Sequence, residues 1–215
     1  MYYKQLDKIP QLPEELAQDC INSITDKNIT VLGSELGLMI PKPVYINYNN
    51  RVNLTDANGH SIKSAIYKRY DVSNRVAAWV QENIHSELTN NYRLGVQVFE
   101  HPFPGEEIVA APHIDGPRGS IVMNFILSTG GPSVTTEWYI EKGYPVLRMK
   151  EHRTGLYLNS YTNLDKLCET TFPQKTWVGI EARAVHALGH LTSNRIALSV
   201  GLTQEWWNDV AKRYG

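Results

Sequence analysis

The chain is short of several features that would commit it early to one class of protein. Only two of its 215 residues are cysteine, Cys20 and Cys168. Two thiols so far apart cannot build a disulfide framework, and a reducing cytoplasm is the expected compartment. Neither sign of charge is in excess: Lys and Arg number 21, Asp and Glu 22, for a formal net charge of -1. Without a basic surplus there is no electrostatic reason to expect nucleic acid or an anionic membrane as a partner. No apolar stretch approaches the roughly 20 residues that a membrane-spanning helix needs. The first residues, Met1, Tyr2, Tyr3, Lys4 and Gln5, lack the basic-then-apolar pattern of a secretory leader. Internal repeats and low-complexity tracts are also missing.

What is present is the composition of an ordinary globular domain, 42% hydrophobic and 20% charged. A chain of this length can bury a proper core and is expected to form one domain spanning 1–215. Its N-terminal part, 1–91, reads as a mixed, partly helical support. A helix is expected over 13–24, where Pro13 suits the first turn, Glu14 and Glu15 favour the dipole, and Leu16, Cys20 and Ile24 recur at helical spacing. Ser73 is placed to cap a second helix over 74–87, with Val76, Val80 and Ile84 on one face. Between them the signal weakens: 44–46 reads as a short strand, and 47–50 and 58–59 read as turns.

From Tyr92 onward the period changes from helical to alternating. Leu94, Val96 and Val98 alternate with Arg93, Gly95 and Gln97 over 92–100. Further strands are expected over 108–112, 120–127, 135–140, 145–149, 156–159, 167–172, 177–180 and 196–202, with 180–185 an extended run and 189–191 a turn. A closing helix over 204–215 follows, with Trp206 and Trp207 packing it onto the sheet. Many short strands at close spacing predict a mainly β fold with flanking helices, a double-sheet jelly roll or barrel, with its core over 92–203.

Within that frame, His113 and Asp115 stand two residues apart at the end of an apolar run. On an extended chain, such residues point to the same face. A third donor is available in His186, inside a later strand. Two histidines and one carboxylate, with coordination positions left open, suit non-haem Fe(II). The strand carrying Arg195 presents Arg195, Ala197, Ser199 and Gly201 on one face and Ile196, Leu198, Val200 and Leu202 on the other. An arginine among small residues leaves room for an anion, and its planar fork matches a carboxylate. His190 reads as a turn histidine in solvent, and His101 and His152 as surface residues. Trp138 and Tyr139, adjacent on one strand, should face opposite sides.

Taken together, His113-Ile114-Asp115, the distal His186 and Arg195 nine residues beyond it resemble the Fe(II)/2-oxoglutarate-dependent dioxygenase superfamily, its small bacterial and phage members in particular. Phe103-Pro104-Gly105 and Asn124 belong to the same likeness, which covers 92–203. The resemblance implies a double-stranded β-helix (cupin-like) fold, with Fe(II) held by His113, Asp115 and His186. It further implies Arg195 on the distal carboxylate of 2-oxoglutarate, and O2 as the oxidant. Many members carry a hydroxyl where this chain has Ala197, so Asn124, Gln97 or Ser199 is expected to supply the secondary contact. The implied reaction is hydroxylation of a small molecule or a protein side chain, with Asp115 favouring hydroxylation over halogenation. A 2-oxoglutarate-independent cupin-like enzyme and a non-catalytic barrel module are the alternatives.

Overall fold

A computed structural model describes residues 2–25, 29–32, 54–88, 93–115, 121–142, 156–157 and 160–214. Among them the chain runs β1 (Tyr3–Gln5), α1 (Glu14–Asn22), β2 (Ile29–Leu32), β3 (Ile66–Tyr70), α2 (Asn74–Asn83), β4 (Leu94–Glu100), β5 (Ile108–Ile114), β6 (Ile121–Thr129), β7 (Thr135–Glu141), β8 (Leu156–Tyr157), β9 (Leu164–Thr170), β10 (Trp177–Glu181), β11 (Val185–Leu191), β12 (Arg195–Leu202) and α3 (Gln204–Tyr214). The strands expected over 44–46 and 145–149, and the turn over 47–50, lie outside the described residues. No helix among the described residues is long and apolar enough to cross a membrane.

The strands form two antiparallel sheets, ordered β1-β10-β6-β12-β4-β3-β2 and β8-β5-β11-β7-β9. This is the mainly β, jelly-roll architecture that the alternating pattern predicts. Alternation along each strand divides the larger sheet into two unlike faces. Its outer face carries Leu94, Val96 and Val98 of β4, Met123, Phe125 and Leu127 of β6, and Leu198, Val200 and Leu202 of β12, all in one buried core. Its inner face turns toward the smaller sheet, where Val122, Ile126, Val178, Ile180 and Ala197 pack with Trp138 of β7.

Three helices cover the outer face. Helix α1 begins after Pro13 (φ -53°), places Glu14 and Glu15 in its first turn and buries Leu16, Ala17 and Cys20. Ser73 caps α2 as its spacing predicts, accepting from the Val76 N–H, and Val76 and Val80 are buried. The helix ends at Asn83 rather than at 87; there Asn83 Nδ2 donates to the Trp79 carbonyl and Gln81 Nε2 to that of Leu88, so side chains take over carbonyls near the end of the helix. Trp207 of α3 lies against Gly179, where an added Cβ would come within 3.0 Å of the indole. Trp79 stacks parallel to Trp177 at 6.3 Å between centroids.

Two expectations near the end of the chain need correction. The run 180–185 is not extended throughout: β10 stops at Glu181 and a turn occupies 182–184, with the Arg183 N–H donating to Glu181 Oε1. Residues 189–191 are not a turn but the end of β11, whose pairing with β5 shifts register between Leu188 and Leu191. His190 takes a left-handed conformation there, φ 59°. A bulge inserts that residue without ending the strand, and a one-dimensional pattern reads such a break as a turn.

Candidate metal and anion site

The smaller sheet brings the first two donors together by register. His113 on β5 lies directly opposite His186 on β11, and the two rings are 4.2 Å apart between centroids. Asp115 follows the end of β5, where its N–H donates to the Ala182 carbonyl at 2.8 Å. This bond ties Asp115 to the turn that leads into β11. Its Oδ2 lies 3.8 Å from His186 Nε2, and donor atoms of all three residues fall within 4.8 Å of one another.

Both imidazoles are oriented alike by the backbone two residues earlier. His113 Nδ1 lies 2.8 Å from the Ala111 carbonyl and His186 Nδ1 2.9 Å from that of Ala184. A carbonyl can only accept, so in each ring Nδ1 carries a proton, and Nε2 is the nitrogen left to face a cation. Burial, reinforced by the neighbouring His186, lowers the His113 pKa to about 3. It is therefore neutral near pH 7, as a metal ligand must be. Burial pushes Asp115 up from its ordinary value, while His186 and Arg69 pull it down. Two imidazoles and one carboxylate with a common focus fit a divalent transition metal, and among the described residues no other such cluster is present.

The larger sheet supplies the facing wall. Arg195, Asn124 and Gln97 line the same cavity as His113, Asp115 and His186. Tyr67, Phe99, Leu188, Ala197, Val178 and Ile180 also border that cavity. Arg195 is only 6% exposed. Its Nη1 donates to the Thr129 carbonyl, and among the described residues no carboxylate pairs with it. Burial alone lowers its pKa to about 10, which still leaves it a cation near neutrality. A buried charge without a direct counterion is costly, and an anion entering the cavity would offset that cost. Asn124 is also buried, and its Oδ1 has no hydrogen-bond partner among the described residues, a second polar group available to something that enters the cavity.

Comparisons with known proteins add little at this point. No protein-family model matches the chain, and no curated protein matches it. Among solved structures it is similar to ycfD of E. coli. The TM-score is 0.40 with 12% identity, covering 88% of this chain and 44% of that one. The chain thus spans less than half the length of that protein. What the site can do has to be judged from its own side chains.

Other residues singled out by sequence lie elsewhere. His190 sits on the exposed side of β11, with Nδ1 2.9 Å from Glu107 Oε1, and is not among the clustered donors. His101 lies 3.0 Å from the Glu106 carbonyl, and His152 is outside the described residues. Ser199 is buried but does not border the cavity. Trp138 and Tyr139 point to opposite sides, Trp138 inward and Tyr139 outward against Leu164 and Val185.

Two residues of β3 escaped the sequence reading. Tyr67 borders the cavity, and Gln97 Nε2 donates to its hydroxyl at 3.3 Å. Arg69 is 5% exposed and spans β4 to the Ser199 carbonyl. It crosses at Gly95, where an added Cβ would lie 2.9 Å from its Nε. A large side chain can cross a sheet face only where a neighbour has none. The available signal was the alternation Tyr67, Arg69 against Lys68, Tyr70, but β3 lies outside the stretch that carries the family resemblance.

Proposed function

We propose that this protein is a non-haem Fe(II)- and 2-oxoglutarate-dependent dioxygenase that hydroxylates an amino acid, a protein side chain or a small metabolite. The observation that carries this reading is Arg195: a buried cation with no carboxylate partner among the described residues, bordering the same cavity as the His113, Asp115 and His186 cluster. A metal site alone fits many chemistries. A metal site sharing a cavity with a guanidinium calls for a ligand that is anionic at one end and metal-binding at the other. 2-Oxoglutarate meets both demands.

His113, Asp115 and His186 would hold the iron, and Arg195 would orient the co-substrate by its distal carboxylate through a bidentate pair. When bound, the iron supplies the redox chemistry that couples oxidation of 2-oxoglutarate to oxidation of the second substrate by O2. The overall balance is substrate C–H, O2 and 2-oxoglutarate giving substrate C–OH, succinate and carbon dioxide. The chain's own groups prepare for this in three ways. The Ala111 and Ala184 carbonyls fix which imidazole nitrogen faces the iron. The apolar side chains of Phe99, Val178, Ile180 and Leu188, which border the cavity, would help exclude water from the bound reactants. Charge is balanced as well: Asp115 and Arg195 cancel, as do Fe(II) and the dicarboxylate, while Arg69 is opposed by Asp71.

The test is anaerobic calorimetry with Fe(II) and then 2-oxoglutarate, followed by an assay for succinate in air. One iron per chain, saturable 2-oxoglutarate binding and slow succinate formation are expected. Iron binding without 2-oxoglutarate binding would move the assignment to a different metal enzyme on this fold, and absence of both would leave a non-catalytic barrel.

A further inference from the structure

The smaller sheet carries a groove on the face opposite the metal donors. On β11, His186 and Leu188 border the metal cavity, so Ala187 and Gly189 belong to the other side. There, among the described residues, an open groove of about 450 Å³ lies over Gly189, between Tyr139 of β7, Lys166 of β9 and Tyr161. That is the size of a site for a small molecule. Its floor is low because Gly189 has no side chain: a Cβ there would come within 2.8 Å of Glu137 Oε1 and of Thr135 Oγ1. The space goes to the Glu137 carboxylate, which is only 5% exposed. The Thr135 and Tyr139 hydroxyls donate to it, as does Lys166 Nζ at 2.7 Å. Glu169 takes the same ammonium at 2.8 Å, so one lysine serves two carboxylates.

Glu107 and Asp56 line the groove as well, and Glu107 Oε1 lies 2.9 Å from His190 Nδ1. Counting Glu169, four carboxylates meet one lysine and one histidine, and the surplus is negative. The tyrosines add no free donors. Tyr139 gives its hydroxyl proton to Glu137, and Tyr161 gives its own to the Ala110 carbonyl at 3.3 Å. What they offer is ring surface, two rings edge to face at 5.4 Å between centroids, continued by Leu164, Val109 and Ile62. An anion would find few donors here. A cation with an aliphatic body would find carboxylates, ring surface for its charge and apolar wall for its methylenes. Glu137 pairs with Ala187, and Glu107 reaches His190 three residues further along β11, roughly 10 Å by strand rise. We propose that this groove binds a linear aliphatic diamine, with one ammonium beside Glu137 and Glu169, the other beside Glu107, and its methylenes across Gly189.

The experiment is calorimetry near neutral pH with three probes of one chain length: cadaverine, pentylamine and pentanol. The proteins are wild type, Glu107→Gln, Glu137→Gln and His186→Ala. Wild type should bind one cadaverine per chain, about fivefold more tightly than pentylamine, the scale of one exposed ion pair. Pentanol, without charge, should bind about tenfold more weakly again, losing the charge-assisted bonds at the buried end. Glu107→Gln should bring cadaverine down to the affinity of pentylamine with the thermal midpoint unchanged, because Glu107 is exposed. Glu137→Gln should weaken both amines; if this buried substitution does not fold, Glu107→Gln decides. Amines can also ligate iron, so His186→Ala, which removes a metal donor, should keep the wild-type affinity for cadaverine. The diamine site is overturned if wild type binds cadaverine no more tightly than pentanol. It is equally overturned if the cadaverine preference survives Glu107→Gln in full, or if cadaverine binding disappears in His186→Ala.

Discussion

The two faces of the larger sheet are made by the same strands, yet they do opposite work. On β12, Leu198, Val200 and Leu202 are buried under the helices, while Arg195 and Ala197, one residue out of phase with them, border the cavity. On β6, Phe125 lies in the outer core and Asn124 in the cavity wall. The outer face buries apolar surface, which stabilises the fold at about 25 cal/mol per Å² removed from water. Among the described residues, the inner face buries a guanidinium with no carboxylate partner and an amide oxygen with no hydrogen-bond partner, which detracts from stability. Function is placed where the packing is least favourable, and stability where it is most favourable.

That contrast can be broken first at the metal donors, where the expected effect is largest. His186→Ala, on the inner side of β11, should eliminate iron binding measured by elemental analysis after desalting. His190→Ala, on the exposed side of the same strand, should retain a full equivalent. Iron loss in the second variant rather than the first would mean that the strand presents its other face to the metal.

Next in size is the outer core. Phe125→Ala should reduce unfolding free energy by about 3–5 kcal/mol in denaturant titrations, as for large buried aromatic residues elsewhere, because Phe125 is 1% exposed and packs on Trp177. The retained fraction of folded protein should still bind iron. A loss below about 1 kcal/mol would show that the helices do not seal this face.

Arg195→Met sharpens the comparison from the opposite side. It should weaken 2-oxoglutarate binding by about 3 kcal/mol, since the co-substrate carboxylate would lose its charged partner, with iron affinity unchanged. Unlike Phe125→Ala, it should leave the metal-free protein at least as stable as wild type, because the substitution removes a buried charge that has no carboxylate partner among the described residues. Lysine at this position should restore only part of the binding, keeping the charge but losing the fork. Unchanged 2-oxoglutarate affinity would remove the anchor from the proposed function.

The smallest effect concerns the helical cover. Ser73→Ala removes the side chain that accepts from the Val76 N–H and should lower stability by about 1 kcal/mol. Ligand binding should not change. A change in 2-oxoglutarate affinity would show that the cover and the cavity are coupled more closely than the two-face division allows.

Much of this organisation was legible from residue order, because its causes are local. The alternation of Arg195, Ala197 and Ser199 with Ile196, Leu198 and Val200 assigns the two faces of β12 without reference to any other strand. The spacing of His113 and Asp115 places both near one end of β5, and Ser73 marks the start of α2 through its own side chain. The mainly β architecture follows from such periods repeated along the chain. Pairing is different in kind, since it depends on residues remote in sequence. That His186 lies opposite His113, that Gln97 fills the place beside Ala197, and that β3 adds Tyr67 to the cavity are consequences of strand register. Register is decided by the total burial and hydrogen bonding of both sheets, not by any segment alone. The bulge at His190 shows the same limit in reverse, since one left-handed residue inside a continuing ladder reads locally as a turn. Local chemistry thus determined which side chains each strand offers to the interior, and the tertiary pairing alone decided which of them meet.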